Sequence, residues 1–163
     1  MKIRPLLPAL GLLALLASVG SARAEDGTTL PPIDHSATLK ECAACHMAYP
    51  PQMLPARSWQ KIMGGLADHF GEDASLAEPV RADILAYLTA HAADAPGTAQ
   101  GPRFLRGLGA DAVPLRITQM PFWTRAHEEV SASAFAVPAV KSAANCAACH
   151  RTAAKGEFAE PED

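Results

Sequence analysis

Apolar and polar positions along this chain repeat with helical rather than strand periodicity. Trp59, Ile62, Met63, Leu66, His69 and Phe70 share one face at spacings of three and four and predict a helix from Pro55 or Ser58 to about Phe70, closed by Gly71. Ser75-Leu76-Ala77-Glu78 has the form of a capping box and opens another helix, whose apolar face is Val80, Ile84, Tyr87, Leu88 and His91. Shorter patterns predict helices from about Ala37 to Met47, from about Pro121 to Val130 with Trp123, His127 and Val130 on one side, and from Val140 to Ala153. Between them lie an extended stretch, Thr28 to Asp34, a Pro-rich loop, Tyr49 to Pro55, and an irregular, Gly-punctuated run from Phe104 to Ile117. β-Branched residues are sparse and do not alternate over a useful length, so the expected fold class is all-α, with few helices and long loops.

The ends and middle of the chain divide it. Lys2 and Arg4, the apolar run from Leu6 to Val19, and the small-x-small pattern Ala22-Arg23-Ala24 read as a secretory signal peptide over residues 1–24. The run is too short, and too broken by Pro8 and Gly11, for a spanning helix of about 20 apolar residues. The Pro- and Gly-bearing stretch 96–102 reads as a linker between an N-terminal domain, 25–95, and a C-terminal domain, 103–163. Each half is small for an independent apolar core, so folding is expected to depend on something beyond the chain itself. Cleavage of the leader removes Lys2, Arg4 and Arg23 and no acidic residue, taking the net charge from −3 to −6. That balance excludes a phosphate-backbone binder, which needs clustered cations. Acidic pairs such as Glu128-Glu129 are solvated surface that is also able to steer a basic partner.

The cysteines supply the chemistry. Four cysteines in an exported protein ordinarily suggest two disulfides. Here all four sit in two copies of one pentapeptide, Cys42-Ala43-Ala44-Cys45-His46 and Cys146-Ala147-Ala148-Cys149-His150. Cys-x-x-Cys-His is the signature of covalent haem attachment: two thiols add to the porphyrin vinyl groups and the adjacent His reaches the iron. A zinc ribbon is the main rival, but its pairs lie about 15–20 residues apart, far closer than Cys45 and Cys146. The sequence therefore implies two covalently bound haem c groups, with Cys42, Cys45, Cys146 and Cys149 as attachment points and His46 and His150 as metal ligands. Ala-Ala between the cysteines favours a helical turn for each motif.

An iron held by one His has a second face, and its occupant separates electron transfer from ligand chemistry. His69 lies 23 residues after His46, and His127 lies 23 before His150, each on an apolar helix face. They are the favoured sixth ligands. His91, at a helix C-terminus where the dipole already favours it, and His35, in a loop, compete less well. Met53, Met63 and Met120 remain alternatives. Arg57, Arg103 and Arg106 are expected to include a contact to a haem propionate.

The quoted motifs, with Glu41 before the first and Asn145 before the second, carry a further resemblance. Together with Tyr49-Pro50-Pro51, Leu54-Pro55-Ala56-Arg57-Ser58-Trp59, His69-Phe70-Gly71-Glu72-Asp73-Ala74-Ser75-Leu76 and Lys155-Gly156-Glu157-Phe158, they resemble the bacterial diheme cytochrome c (DHC) family. The resemblance implies a soluble periplasmic electron carrier of two small haem domains with two bis-histidine haems, ligated by His46, His69, His127 and His150. It also implies partners: a small oxygen-binding monohaem cytochrome c as acceptor and a membrane cytochrome b as donor. The competing expectation is a haem enzyme or ligand sensor, diheme peroxidase-like, with one open iron site and acid–base groups beside it.

Overall fold

The computed structural model describes residues 27–159; the expected leader and the acidic tail 160–163 lie outside the described residues. Six α-helices carry the described chain: α1 (Ser36–Cys42), α2 (Ala56–Met63), α3 (Glu78–Ala90), α4 (Gly101–Leu105), α5 (Pro121–Ala126) and α6 (Ala132–Ala136). Most connections are loops and 3-10 turns. The fold is all-α apart from one clasp, in which β1 (Thr28–Thr29) pairs antiparallel with β2 (Glu157–Phe158) and joins the two ends of the described chain. Leu30 N–H continues the pairing by donating to the Gly156 carbonyl at 2.8 Å. Gly156 has φ 84°, and a Cβ there would collide with the Leu30 carbonyl, so only glycine lets the ends close this tightly.

α2 and α3 form the packed centre. Leu54, Trp59, Met63, Ile84, Leu88, Ala92 and Met120 are buried together. A second cluster joins Leu30, Met53, Ala93 and Phe104. Both clusters therefore combine residues from either side of 96–102. That stretch is itself tied down: Thr98 Oγ1 donates to the Ala92 carbonyl at 3.0 Å, and Gly101 is buried where a Cβ would strike the Ala93 carbonyl. The Pro-rich loop is more deeply placed than its polarity suggests, with every residue from Pro50 to Pro55 buried. Proline makes this tolerable because it brings no N–H to satisfy. Trp59 Nε1–H covers the Pro51 carbonyl at 2.8 Å.

Several expected elements are shorter or differently built. α2 stops at Met63 rather than near Phe70, because Gly64-Gly65 ends it; a 3-10 turn, Leu66–Asp68, follows. Ser75 does not cap α3. Ala77 is the N-cap, Pro79 sits in the first turn, and Ser75 N–H is instead taken by the Asp73 carboxylate at 2.9 Å. α1 ends at Cys42, so the rest of the first motif is turn. The second motif forms only a 3-10 turn, Cys146–Ala148, in place of the expected helix from Val140 to Ala153. α5 ends at Ala126, with His127 as its C-cap. His35, expected in an exposed loop, is the half-buried N-cap of α1: its Nδ1 accepts from Thr38 N–H at 3.3 Å and its Nε2 lies 3.3 Å from Asp83.

Candidate functional site

The fold brings the four singled-out histidines together in two pairs. His46 and His69 face each other with ring centres 6.2 Å apart and planes 29° from parallel. His127 and His150 stand 6.1 Å apart, with planes at 87°. Two imidazoles bound to one metal ion, with nitrogens about 2 Å from the metal and about 1 Å from their ring centres, would have centres about 6 Å apart. Both pairs fit that separation.

Each ring is set by its backbone. His46 Nδ1 is 2.7 Å from the Met47 carbonyl, His127 Nδ1 is 2.9 Å from the Trp123 carbonyl, and His150 Nδ1 is 2.7 Å from the Ala159 carbonyl. A proton on Nδ1 donated to a carbonyl leaves Nε2 with its lone pair free, the tautomer a metal ligand needs. His69 is placed by a turn instead. Its N–H donates to the Glu72 carbonyl at 2.7 Å and Glu72 N–H returns to His69 at 3.3 Å, with Phe70 (φ 59°) and Gly71 (φ 100°) between them. Positive φ at both central positions is the mark of a type I′ turn, and a bulky residue in that conformation stores strain of the kind found at functional sites. Burial, then the neighbouring His46 and Arg116, push the His69 pKa down, favouring the neutral imidazole.

Aromatic rings border all four histidines. Tyr49 lies 4.9 Å from His46, Phe70 4.8 Å from His69, Trp123 4.4 Å from His127 in a near-parallel stack, and Phe158 5.8 Å from His150. Beside the pairs the surface is apolar and open: Phe70 is 48% exposed, and Val130, whose N–H donates to the His127 carbonyl, is 40% exposed. A cavity of about 270 Å³ beside His69 is lined by Lys61, Ile62, Asp68, Phe70 and Leu115. Exposed apolar surface around paired imidazoles suits a flat apolar macrocycle better than a bare ion. The cysteines are all free. Burial pushes the Cys42 and Cys146 thiols up. Among the described residues no group of three or more His, Cys, Asp or Glu gathers to hold a metal ion.

The other candidate ligands are engaged elsewhere. His91 packs tilted against Tyr87, ring centres 4.6 Å apart, and its Nδ1 is 2.9 Å from the Tyr87 carbonyl, while His35 stacks on the same Tyr87 at 4.6 Å. Met53, Met63 and Met120 are buried core residues. Arg57, expected among the propionate partners, is taken up by the protein: Nε donates to the Ala112 carbonyl at 2.7 Å, Nη2 to Gly109 at 3.3 Å, and Nη1 lies 3.5 Å from Asp94. Tyr49 is the residue that sequence reasoning passed over. Its hydroxyl donates to the Ala144 carbonyl, 95 residues away, at 2.7 Å. Burial, then Cys146, push its pKa up to about 12, so it remains a neutral donor.

The sequence model of the family described as dihaem cytochrome c matches residues 38–158. Among solved structures, the chain is similar to a diheme cytochrome c from Rhodobacter sphaeroides, at 47% identity over 79% of this chain and 100% of that one, with a TM-score of 0.72. It is also similar to a diheme cytochrome type c from Shewanella baltica OS155, at 37% identity over 76% of this chain and 85% of that one, with a TM-score of 0.60. No curated protein matches the chain. Two attachment motifs, two facing histidine pairs and this match lead to one conclusion: the chain belongs to the dihaem cytochrome c family, as an electron-transfer haem protein with two covalently bound haem c groups.

Proposed function

We propose that this protein is an electron carrier in which both irons are closed by two histidines, one by His46 and His69 and the other by His127 and His150. Cys42 and Cys45 would attach the first haem, and Cys146 and Cys149 the second. The observation that carries the reading is the pair of ring separations, 6.2 and 6.1 Å, each matching two imidazoles on a single metal. Bound haem supplies a one-electron ferric–ferrous couple. The chain's own residues do the rest: the motif cysteines hold the group, the backbone carbonyls of Met47, Trp123 and Ala159 orient three of the imidazoles, and Tyr49, Phe70, Trp123 and Phe158 pack beside the four rings. Two nitrogen ligands stabilise ferrous iron less than a thioether does, so both potentials should lie low for c-type cytochromes.

The expected place of work is the periplasm, because covalent attachment motifs follow a leader of secretory form over residues 1–24. The proposed partners are a small oxygen-binding monohaem cytochrome c as acceptor and a membrane cytochrome b as donor. Among the described residues no helix is long and apolar enough to cross a membrane; the contact with a membrane donor is proposed as transient. Exposed Glu128 and Glu129 adjoin His127 and could receive a basic partner face near the second haem.

An optical spectrum of the isolated protein tests the reading. Six-coordinate low-spin haems in both oxidation states, with little carbon monoxide binding, are expected. A high-spin fraction would favour the haem enzyme or sensor, which needs one open iron.

A further inference from the structure

Of the three carbonyls that meet an imidazole in the facing pairs, two are local. Met47 is the residue after His46, and Trp123 lies one turn before His127 at the end of α5. The carbonyl at His150 belongs to Ala159, nine residues on and 2.7 Å away, beyond the left-handed turn at Gly156. Local bonds carry the chain only as far as Glu157, whose N–H donates to the Thr152 carbonyl at 3.4 Å and whose carbonyl accepts from Thr152 Oγ1 at 3.3 Å. Beyond it the opposite end of the described chain takes over. β1 pairs Thr28 with Phe158 and Thr29 with Glu157, and Leu30 N–H adds its bond to Gly156 at 2.8 Å. Gly27 lies so close that a Cβ on it would strike the Ala159 backbone. The strand is anchored in turn: Leu30 is 1% exposed in the cluster with Met53, Ala93 and Phe104, against which Phe158 also packs. From Pro121 to Thr152 no residue is buried, so the core reaches this ligand from the other direction, through residues 27–30.

We propose that residues 27–30 are a positioning element of the second redox site: anchored in the core by Leu30, they hold the Ala159 carbonyl on His150 Nδ1 and thereby set the orientation and basicity of that imidazole and the potential of the His127–His150 haem. The inference rests on the ligand assignment proposed above. A carbonyl that accepts the Nδ1 proton fixes the plane of the ring and makes Nε2 a stronger donor to the metal. A stronger donor favours ferric over ferrous iron, so the contact keeps the potential low and its loss raises it. The first site has no such dependence, because the Met47 carbonyl adjoins His46 in the chain.

The test uses the holoprotein and two variants, each first checked for two haems per chain. Gly27→Val drives a side chain against Ala159, and Thr28→Pro with Thr29→Pro strips β1 of its N–H donors. A redox titration followed by electron paramagnetic resonance reads each haem through its own signal. In both variants the His127–His150 haem should move to higher potential and its leading g value should shift, while the His46–His69 haem keeps its wild-type potential and signal. Loss of the second haem alone in the proline variant would support the same dependence. A purely structural strand would lower stability and leave both potentials as they are. Wild-type values for the second haem, or an equal shift in both haems, therefore overturn the proposal, and should one variant fail to fold the other decides alone. Failure of the ligand assignment would be seen separately, as high-spin haem in the unmutated protein.

Discussion

His46 and His69 adjoin a packed centre, whereas His127 and His150 are held by chain in which little is packed at all. The first pair adjoins α2 and α3, where Trp59, Met63, Ile84 and Leu88 are buried. From Pro121 to Thr152, by contrast, no residue is buried, and α6 is a five-residue helix without a buried side chain. So short a helix does not sustain itself in water. The two pairs nevertheless have almost equal separations. A site can therefore be given its ligand geometry by local turns and carbonyl contacts while its burial is left to the cofactor, and the second half of this protein takes that course.

The sharpest way to break this contrast is to withhold one haem at a time. Cys146→Ser with Cys149→Ser should leave amides from 127 to 152 exchanging near unfolded rates, while those of α2 and α3 keep most of their protection. Cys42→Ser with Cys45→Ser should be milder for the backbone, because the α2–α3 core remains. Strong protection of 127–152 in the first variant, measured by hydrogen exchange, would show that the second half has a core of its own.

Removing single ligands comes next in size. His69→Ala and His127→Ala should each open one iron to carbon monoxide and leave the other low-spin, and His127→Ala should cost more thermal stability because its region has less else to hold it. His91→Asn should do neither, since that ring packs against Tyr87. An unchanged spectrum in His69→Ala would hand the first iron to another ligand.

The ring planes give a subtler difference. At 29° the first pair is near parallel and at 87° the second is near perpendicular, which splits the iron d-orbitals differently. Two distinct low-spin ferric signals are expected in electron paramagnetic resonance, the perpendicular pair having the larger leading g value. A single signal for both haems would mean that the planes are alike.

What the sequence made legible follows the same division. In α3 the three-and-four spacing placed Ile84 and Leu88 correctly, because there the helix face does pack. The histidine pairs were also readable, through the 23-residue spacing on either side. The same periodicity overran at α2, where Gly64-Gly65 outweighed an apolar pattern continuing to Phe70; His69 reaches its partner by a turn and not along a helix. Ala-Ala in the motifs suggested helix, yet propensity over so few residues does not offset the nucleation cost where no core props the helix. Tyr49 and His35 were hidden for another reason: Tyr49 acts on Ala144, far along the chain, and His35 on Asp83, and no local pattern records such contacts.

The smallest expected effect concerns how far the well-packed region extends. Arg57, at the start of α2, donates to the Ala112 and Gly109 carbonyls and so fastens the irregular run between α4 and α5 onto the α2–α3 centre. Its Asp94 contact adds little, because both side chains are about a third exposed and water screens the pair. The carbonyl bonds matter more, since Arg57→Ala would leave the half-buried Ala112 carbonyl without its charged donor. A loss of about 1–2 kcal/mol in denaturant unfolding is expected. Arg57→Lys should recover only part of it, because an ammonium does not span two carbonyls as a guanidinium fork does. Both haem spectra should be unchanged in either variant, which separates this staple from a propionate contact: a shifted potential at one haem in Arg57→Ala, with stability unaffected, would return Arg57 to the cofactor and shrink the packed region to α2, α3 and their loop.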